Sequence, residues 1–331
     1  MDDVTDKVAK MYAEYPYPSP SVDAGKEKLT ELANLFKFLA LETKYDYAQK
    51  SVLDAGVGTG QRLAAAAESL SNTRFTGIDM VQSSLEVARQ VSDQAGLSNV
   101  DFHCANILED MTNLGAFDIV LCMGVLHHLS KPHLGLKNLH AVLKDDGFVL
   151  LYLYGLRGAQ ERMRRKAVIS LLRGGRQDDL AIGIRLAKDL EYDDFEYGWN
   201  INIDQATNDS FIVDAFMNVN ERLFDAETIH ELAVEAGFHA YVTYGITTGT
   251  QGLLFDTRLE SKRSFISQMS LAKRLKADLP KDLYGQLSLR DRYRLVDLLY
   301  DPNGYTVIML TEGAREKLSR SARIGANVVE V

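Results

Sequence analysis

Residues 50–60 read Lys50-Ser51-Val52-Leu53-Asp54-Ala55-Gly56-Val57-Gly58-Thr59-Gly60. A short apolar strand ends in Asp54, three glycines follow at alternate positions, and a helix-forming run, Arg62 to Ser69, comes next. Glycine has no Cβ and tolerates positive φ, so such a turn lets main chain come very close to a ligand. It also aims the first N–H groups of the helix at that ligand. The segment predicts a cofactor site at the end of a buried strand.

Working outward, residues 74–79 form a second strand ending in Asp79, 19 positions after Gly60. A carboxylate there can accept hydrogen bonds from both ribose hydroxyls of an adenosine ligand. Asp79 alone does not say which adenosine ligand. The dinucleotide fingerprint is G-x-G-x-x-G, and here the third glycine arrives one residue early, with Gln61 where that pattern wants glycine. A third strand, Val100 to Cys104, runs into Ala105-Asn106-Ile107. A fourth, Phe117 to Cys122, runs into Met123-Gly124-Val125-Leu126-His127-His128-Leu129. A helix (Leu134 to Leu143), a turn (Lys144 to Gly147) and a strand (Phe148 to Tyr154) follow.

These landmarks, in order over about 105 residues, resemble the class I S-adenosylmethionine-dependent methyltransferases, with their D-x-G-x-G-x-G turn. The family often carries a Val-Leu-His-His-Leu stretch after its fourth strand. Outside the core, Tyr12-Ala13-Glu14-Tyr15-Pro16-Tyr17-Pro18 is similar to the Y-P-Y-P element of a bacterial subfamily. So is Asp214-Ala215-Phe216-Met217-Asn218 leading to Glu221-Arg222-Leu223-Phe224. The resemblance implies S-adenosyl-L-methionine as cofactor, S-adenosyl-L-homocysteine as product and no metal. It implies a cofactor-binding set of Asp54, Gly56, Gly58, Gly60, Asp79, Met80, Asn106, Ile107 and Met123. In that set the glycines admit the aminoacyl and ribose part, Asp54 contacts the ammonium and Asp79 the ribose hydroxyls. Met80 packs on the adenine, and Asn106 and Ile107 border its edge.

Methyl transfer from a sulfonium is an in-line displacement that needs mainly alignment and exclusion of water. An acceptor that carries a proton adds the need for a base. His127 and His128 are the candidate bases, because an imidazole titrates near neutral pH; the competing reading is a helix-start pair that packs locally. Tyr12, Tyr15 and Tyr17 form a candidate lid whose aromatic faces favour a sulfonium or ammonium, or else an arm packed on the domain. Tyr154 and Arg157 end the fifth strand, where ligands sit in open α/β sheets. Arg157 could hold an acceptor carboxylate or a surface ion pair. Trp199 is a further candidate for the acceptor pocket, as are Asn218, Asn220 and Glu221.

The chain has 331 residues, 46% hydrophobic and 25% charged, with a formal charge of −9. These are values of a globular protein, and the acidic balance opposes nucleic acid as substrate. Arg157 to Arg176 is the densest basic run and reads as a solvated helix face. No stretch is long enough to cross a bilayer, and Met1-Asp2-Asp3-Val4 is acidic rather than a basic, apolar signal. Cys104 and Cys122 make no disulfide framework. A cytoplasmic monomer or homodimer with a small-molecule partner is expected.

The expected fold is α/β, a doubly wound, mostly parallel, seven-stranded Rossmann-like sheet with helical cap insertions. Residues 1–48 form a helical arm, broken by the prolines of 15–20. Residues 49–154 form the cofactor-binding core and 155–223 a helical cap insertion. Residues 224–312 complete the sheet, with a second helical insertion at about 247–302, and 313–331 form a loose tail. The last two strands normally make a tight hairpin. Here either that hairpin carries the helical insertion, the preferred reading, or Gln251 to Phe255 is the partner and Tyr305 to Thr311 pairs elsewhere. The expected function is methyl transfer to a small molecule. The alternatives are a tRNA or protein methyltransferase and a non-catalytic S-adenosylmethionine-binding regulator; an NAD oxidoreductase is disfavoured by Gln61.

Overall fold

A computed structural model of the chain describes residues 2–22, 30–193, 204–248, 251–254, 271 and 275–331. Two helices, α1 (Asp3–Glu14) and α2 (Glu31–Thr43), precede the sheet. Alternation then begins: β1 (Ser51–Ala55), α3 (Gln61–Ser69), β2 (Arg74–Asp79), α4 (Gln82–Gln94), β3 (Val100–Cys104), β4 (Phe117–Met123), α5 (Pro132–Ala141) and β5 (Leu143–Tyr154). Three helices interrupt it, α6 (Gln160–Arg173), α7 (Leu180–Asp189) and α8 (Gln205–Met217). The sheet resumes with α9 (Ala226–Ala236), β6 (Ala240–Thr248) and β7 (Gln251–Leu254). Then come α10 (Asp278–Gln286), α11 (Leu289–Tyr300) and β8 (Gly304–Leu310). The chain closes with α12 (Glu312–Leu318), α13 (Ala322–Gly325) and β9 (Val329–Glu330).

The strand order is β3-β2-β1-β4-β5-β8-β6-β7, with β9 on β6. Strands β1 to β5 pair in parallel, and β8 lies antiparallel between β5 and β6. The order reverses between β1 and β4, and that reversal opens a crevice beyond their carboxyl ends. Both faces of the sheet are covered, which explains strands apolar at nearly every position. Val52, Ile119, Leu121, Phe148 and Leu150 meet Phe36, Leu39, Leu63, Leu85 and Leu318 on one side. Their neighbours Leu53, Val120, Cys122, Val149 and Leu151 meet Leu136, Leu139, Ile229, Leu232 and Val296 on the other. A third cluster sits apart from the sheet. Met11 of α1 packs with Ile169, Ile184, Ile212 and Phe216 from α6, α7 and α8, so the N-terminal helix shares a core with the cap helices.

Three expectations need correction. The sheet has nine strands among the described residues, not seven, because β7 and β9 add to its far edge. The two readings of the last strands are both partly realised: β6 pairs β8 across the helical insertion, and it also pairs β7. Residues 313–331 are not a loose tail. Thr311 caps α12, Ser321 caps α13, and β9 pairs with Ala240 and Tyr241.

That C-terminal segment is anchored by charge. Arg323 is 5% exposed. Its Nε and Nη2 each donate to a different Glu42 oxygen of α2 at 2.5 Å, while the guanidinium lies 4.5 Å over the Tyr244 ring. Removing one partner of a buried pair strands the other charge, which costs about 3 kcal/mol or more. Arg323→Ala is expected to lower unfolding free energy in urea by about that amount, whereas Arg315→Ala, whose partner Glu330 is exposed, should cost less than about 1 kcal/mol.

Candidate functional site

The turn after β1 holds its three glycines in the left-handed region, at φ of +82° for Gly56, +55° for Gly58 and +78° for Gly60. A Cβ on Gly58 would lie 2.4 Å from the Tyr17 carbonyl oxygen. That carbonyl accepts the Thr59 N–H at 3.1 Å. The Y-P-Y-P segment therefore sits directly on the glycine turn. Gln61, fully buried, ties the two together: it accepts from the Thr59 hydroxyl at 2.6 Å and donates to the Ser19 and Ser21 carbonyls at 3.3 Å. Ser19 in turn shares a 2.6 Å hydroxyl bond with Thr207 of α8. Arm, turn and cap are one connected structure.

Asp54 and Asp79 end adjacent strands on this turn. Asp54 is buried, and loss of solvation pushes its carboxyl up to about 7; Arg62 pulls the other way and Asp79 adds to the rise. Asp79 accepts the Gly58 and Val81 backbone N–H groups at 2.9 Å each, one on each oxygen. Burial raises its carboxyl above the ordinary value in spite of these bonds. The Met80 backbone N–H bears on it too, and because a carboxylate offers about four lone-pair sites, some capacity stays open beyond the backbone bonds. Met80 and Asn106 are partly exposed beside Asp79, and Ile107 is buried. The Asn106 side chain accepts from Leu108 N–H at 3.0 Å and donates to Glu109 at 3.3 Å. Met123 ends β4, partly exposed at the crevice. Bare main chain, a desolvated acid and a half-satisfied acid make a site that fits an adenosyl group with a cationic end.

Beyond β4 and β5 lies a buried polar cluster. His127 stacks on Tyr154 with ring centroids 3.8 Å apart, and neither of its nitrogens has a hydrogen-bond partner among the described residues. Burial, and then His128, hold it well below an ordinary imidazole, so it is neutral. His128 Nδ1 lies 3.0 Å from the Asn220 carbonyl, and its Nε2 lies 3.9 Å from Asp214 Oδ1. Burial lowers this imidazole too, against the upward pull of Asp214. Tyr12 OH donates to Asp214 Oδ1 at 2.6 Å, Tyr154 OH to Oδ2 at 3.4 Å, and Asn218 Nδ2 to Tyr12 OH at 3.0 Å. Desolvation raises the Tyr12 phenol well above 10 and the Tyr17 phenol to about 12, so both stay protonated.

The sequence-predicted residues divide. Tyr12, His127, His128 and Tyr154 come together. Tyr17 lies on the turn with its ring 5.3 Å from Phe211, while Tyr15 packs on the cap core. Arg157 does not join them: it is exposed, and its charge is felt by Asp297 and Tyr305. Arg162 occupies the place expected for it, 4.9 Å over the Tyr154 ring. Trp199 lies outside the described residues. The basic run is only in part a solvated face: Arg157, Arg164 and Arg176 are exposed. Arg162 and Lys166 turn inward to Glu221, with Arg162 Nη1 at 2.9 Å and Lys166 Nζ at 3.0 Å, while Arg164 and Arg165 pair with Glu161. Burial pushes the Glu221 carboxyl up, but Arg162 and Lys166 outweigh it and hold it below its ordinary range. Asp214 and Arg162 received no role from sequence. Their helical spacing from known residues carried no signal, because their partners lie far along the chain.

Residues 47–168 match a family model described as a methyltransferase domain. The uncharacterized protein syc1184_c of Synechococcus sp. is 26% identical over 315 residues, 91% of this chain and 70% of that one. The ubiquinone biosynthesis O-methyltransferase of Coxiella burnetii is 32% identical over 146 residues, 41% of this chain and 61% of the enzyme. Among solved structures, PKMT2 from Rickettsia typhi aligns with a TM-score of 0.59 at 17% identity, over 86% of this chain and 54% of that chain. The chain thus spans less than two thirds of the length of both the named enzyme and PKMT2, and the second likeness concerns the fold.

The seating of the arm on the turn has a direct test. Gly58→Ala and Gly96→Ala both place alanine at positive φ, but nothing lies within 4 Å of a Cβ on Gly96. Gly96→Ala should cost about 1 kcal/mol. Gly58→Ala adds the collision with Tyr17 and should lower the urea midpoint further and expose residues 15–22 to proteolysis.

Proposed function

We propose that the chain is a class I S-adenosylmethionine-dependent methyltransferase and that it methylates an N–H or O–H group of a small molecule held between the glycine turn and the cap. One observation carries the reading. The Asn220 carbonyl can only accept, so the His128 bond to it fixes the proton on Nδ1 and leaves Nε2 a lone pair. That lone pair faces a second buried acceptor, Asp214 Oδ1, at 3.9 Å. Two acceptors facing each other in a low-dielectric site call for a donor between them. A protic acceptor group supplies one. Its proton would pass to Nε2 as its lone pair takes the methyl carbon and the methyl–sulfur bond breaks, the sulfonium leaving as a neutral thioether, and Asp214 would stabilise the imidazolium. Tyr12, itself held by Asn218, and Tyr154 hold the carboxylate for this task.

In this reading the donor lies along the glycine turn. Asp79 grips the ribose hydroxyls with its open lone pairs, Asp54 faces the ammonium, and Met80, Asn106, Ile107 and Met123 border the adenine and sulfur side. Bound S-adenosylmethionine brings a methyl group already activated by its sulfonium. The protein's task is then alignment, which can lower a barrier by roughly 7–11 kcal/mol. The arm and the α6–α8 cap close the chamber, and the inward pairing of Arg162 and Lys166 removes cations that a nucleic acid would need. Both features support a small acceptor over a macromolecule.

Incubation with methyl-labelled donor and a metabolite extract, followed by mass spectrometry, is expected to yield a labelled amine or hydroxyl compound; labelled protein or tRNA instead would overturn the reading. With that product in hand, Asp214→Asn should lower kcat about 100-fold or more while donor affinity stays unchanged. Because His128 is depressed below 6.5, kcat should be level from pH 7 to 8 and decline only on the acid side.

Donor affinity should follow a different group. The Asp54 carboxyl is raised from 3.8 to about 7, so below pH 7 the free protein holds it neutral. Pairing with an ammonium then requires expelling a proton, and Kd for S-adenosylhomocysteine should rise about tenfold per unit as pH falls below 7. Calorimetry across pH 5.5–8.5 reads this directly, and Asp54→Asn should flatten the curve.

A further inference from the structure

We propose that His127 selects acceptors that carry a second, uncharged polar group beside the one that is methylated, and that the edge of its ring receives that group; this rests on the acceptor reading above. His127 is wholly buried, and neither Nδ1 nor Nε2 has a hydrogen-bond partner among the described residues. Its position is fixed by other means. The ring stacks on Tyr154 with 24° between the planes, and it meets the His128 ring at 71° with centroids 4.2 Å apart. The His127 carbonyl accepts the Arg222 N–H at 2.8 Å. Stacking engages the face of an imidazole and leaves its edge, where both nitrogens lie, uncommitted. The side chain is therefore held in place without engaging either polar atom.

Packing alone gives no reason for nitrogen at this place. A phenylalanine would fill the same stack and strand no polar atom, whereas a buried imidazole with two empty nitrogens is costly. A neutral imidazole offers one N–H and one lone pair, so it can donate to an incoming oxygen or accept from an incoming hydroxyl. His128 Nε2, the destination of the proton in the reaction above, is unpartnered as well. The two rings are neighbours, so an acceptor that brings its protic group to His128 brings the atoms one or two bonds away to His127. Charge decides what those atoms carry. Arg162 and Lys166 act on His127, and Glu221 holds both. Asp214, beside His128, also acts on Arg162. Two cations and two carboxylates balance, and a charged substituent would enter this low-dielectric site uncompensated. A hydroxyl, carbonyl or amide would not.

The test starts from the labelled product of the extract incubation. Its new methyl group should sit on an oxygen or nitrogen that has a hydroxyl, carbonyl or amide on a neighbouring or next-neighbouring atom. Initial rates then compare the unmethylated parent of that product with an analogue in which this second group is replaced by hydrogen. The wild type should favour the parent about ten- to a hundredfold in kcat/KM, chiefly through KM. His127→Phe keeps a flat ring on Tyr154 and should shrink that preference to within about threefold, with the urea midpoint unchanged or raised. His127→Leu, a second apolar replacement, should give the same ratio, and His127→Asn, which keeps a donor and an acceptor, should retain part of it. A preference that survives both apolar variants would overturn the proposal and leave His127 a packing residue. If no labelled small molecule forms, the acceptor reading fails and this inference fails with it. If the labelled group stands alone or has only a charged neighbour, the acceptor reading stands and His127 has no second group to receive.

Discussion

The seat of the Tyr17 carbonyl on Gly58 is the contact on which the site depends. A carbonyl can approach main chain that closely only where no Cβ stands in the way. Once seated, it accepts the Thr59 N–H, and Gln61 and Ser19 extend the bond outward to Thr207 of the cap. The glycines thus serve two neighbours at once. One surface of the turn is bare for a ligand, and another is bare for the arm. The arm in turn fixes where Tyr12 lies, because α1 ends just before Tyr15 and packs into the cap core through Met11.

Electrostatics then divides the chamber. On the turn side, Asp54 is costly to ionise because burial strips its solvation. On the cap side, Asp214 is supplied with phenol hydrogen bonds, and Glu221 with two cations. Two buried acids are therefore satisfied by protein, while a third is left to be completed by whatever enters. The same contrast runs through the histidines. His128 is tied to the Asn220 carbonyl, whereas His127 meets only aromatic faces. Buried polar groups without partners are uncommon, and in this protein the nitrogens of His127 and Nε2 of His128 fall together in one buried cluster beyond β4 and β5.

The core was legible in sequence because its determinants are local. A strand, a turn of positive-φ glycines and a helix are adjacent in the chain, and the strand order follows from right-handed crossovers. The polar cluster under the cap was legible only in part: Tyr12, His127, His128 and Tyr154 stood out in sequence, whereas Asp214, which joins them, did not. Tyr12 and Asp214 touch across a separation of 202 residues, which no periodicity reports. Arg157 and Arg162 differ by somewhat more than one helical turn, and only the packing of α6 decides which one faces Tyr154. The C-terminal segment read as polar because its anchor, Arg323, is a charged residue, and its partner lies on α2. In each miss, a long-range pairing outweighed the local pattern.

The third hydrophobic cluster has a consequence for synthesis. It joins Met11 to residues of α8, among them Phe216, so α1 finds its full seat only after some two hundred further residues have followed. The parallel pairing among β1 to β5 is complete once β5 has been made. A nascent chain therefore holds the glycine turn and its flanking parallel strands before α8 arrives. Contacts of such long span are slow to close, so the joining of arm to cap follows the pairing of the parallel strands.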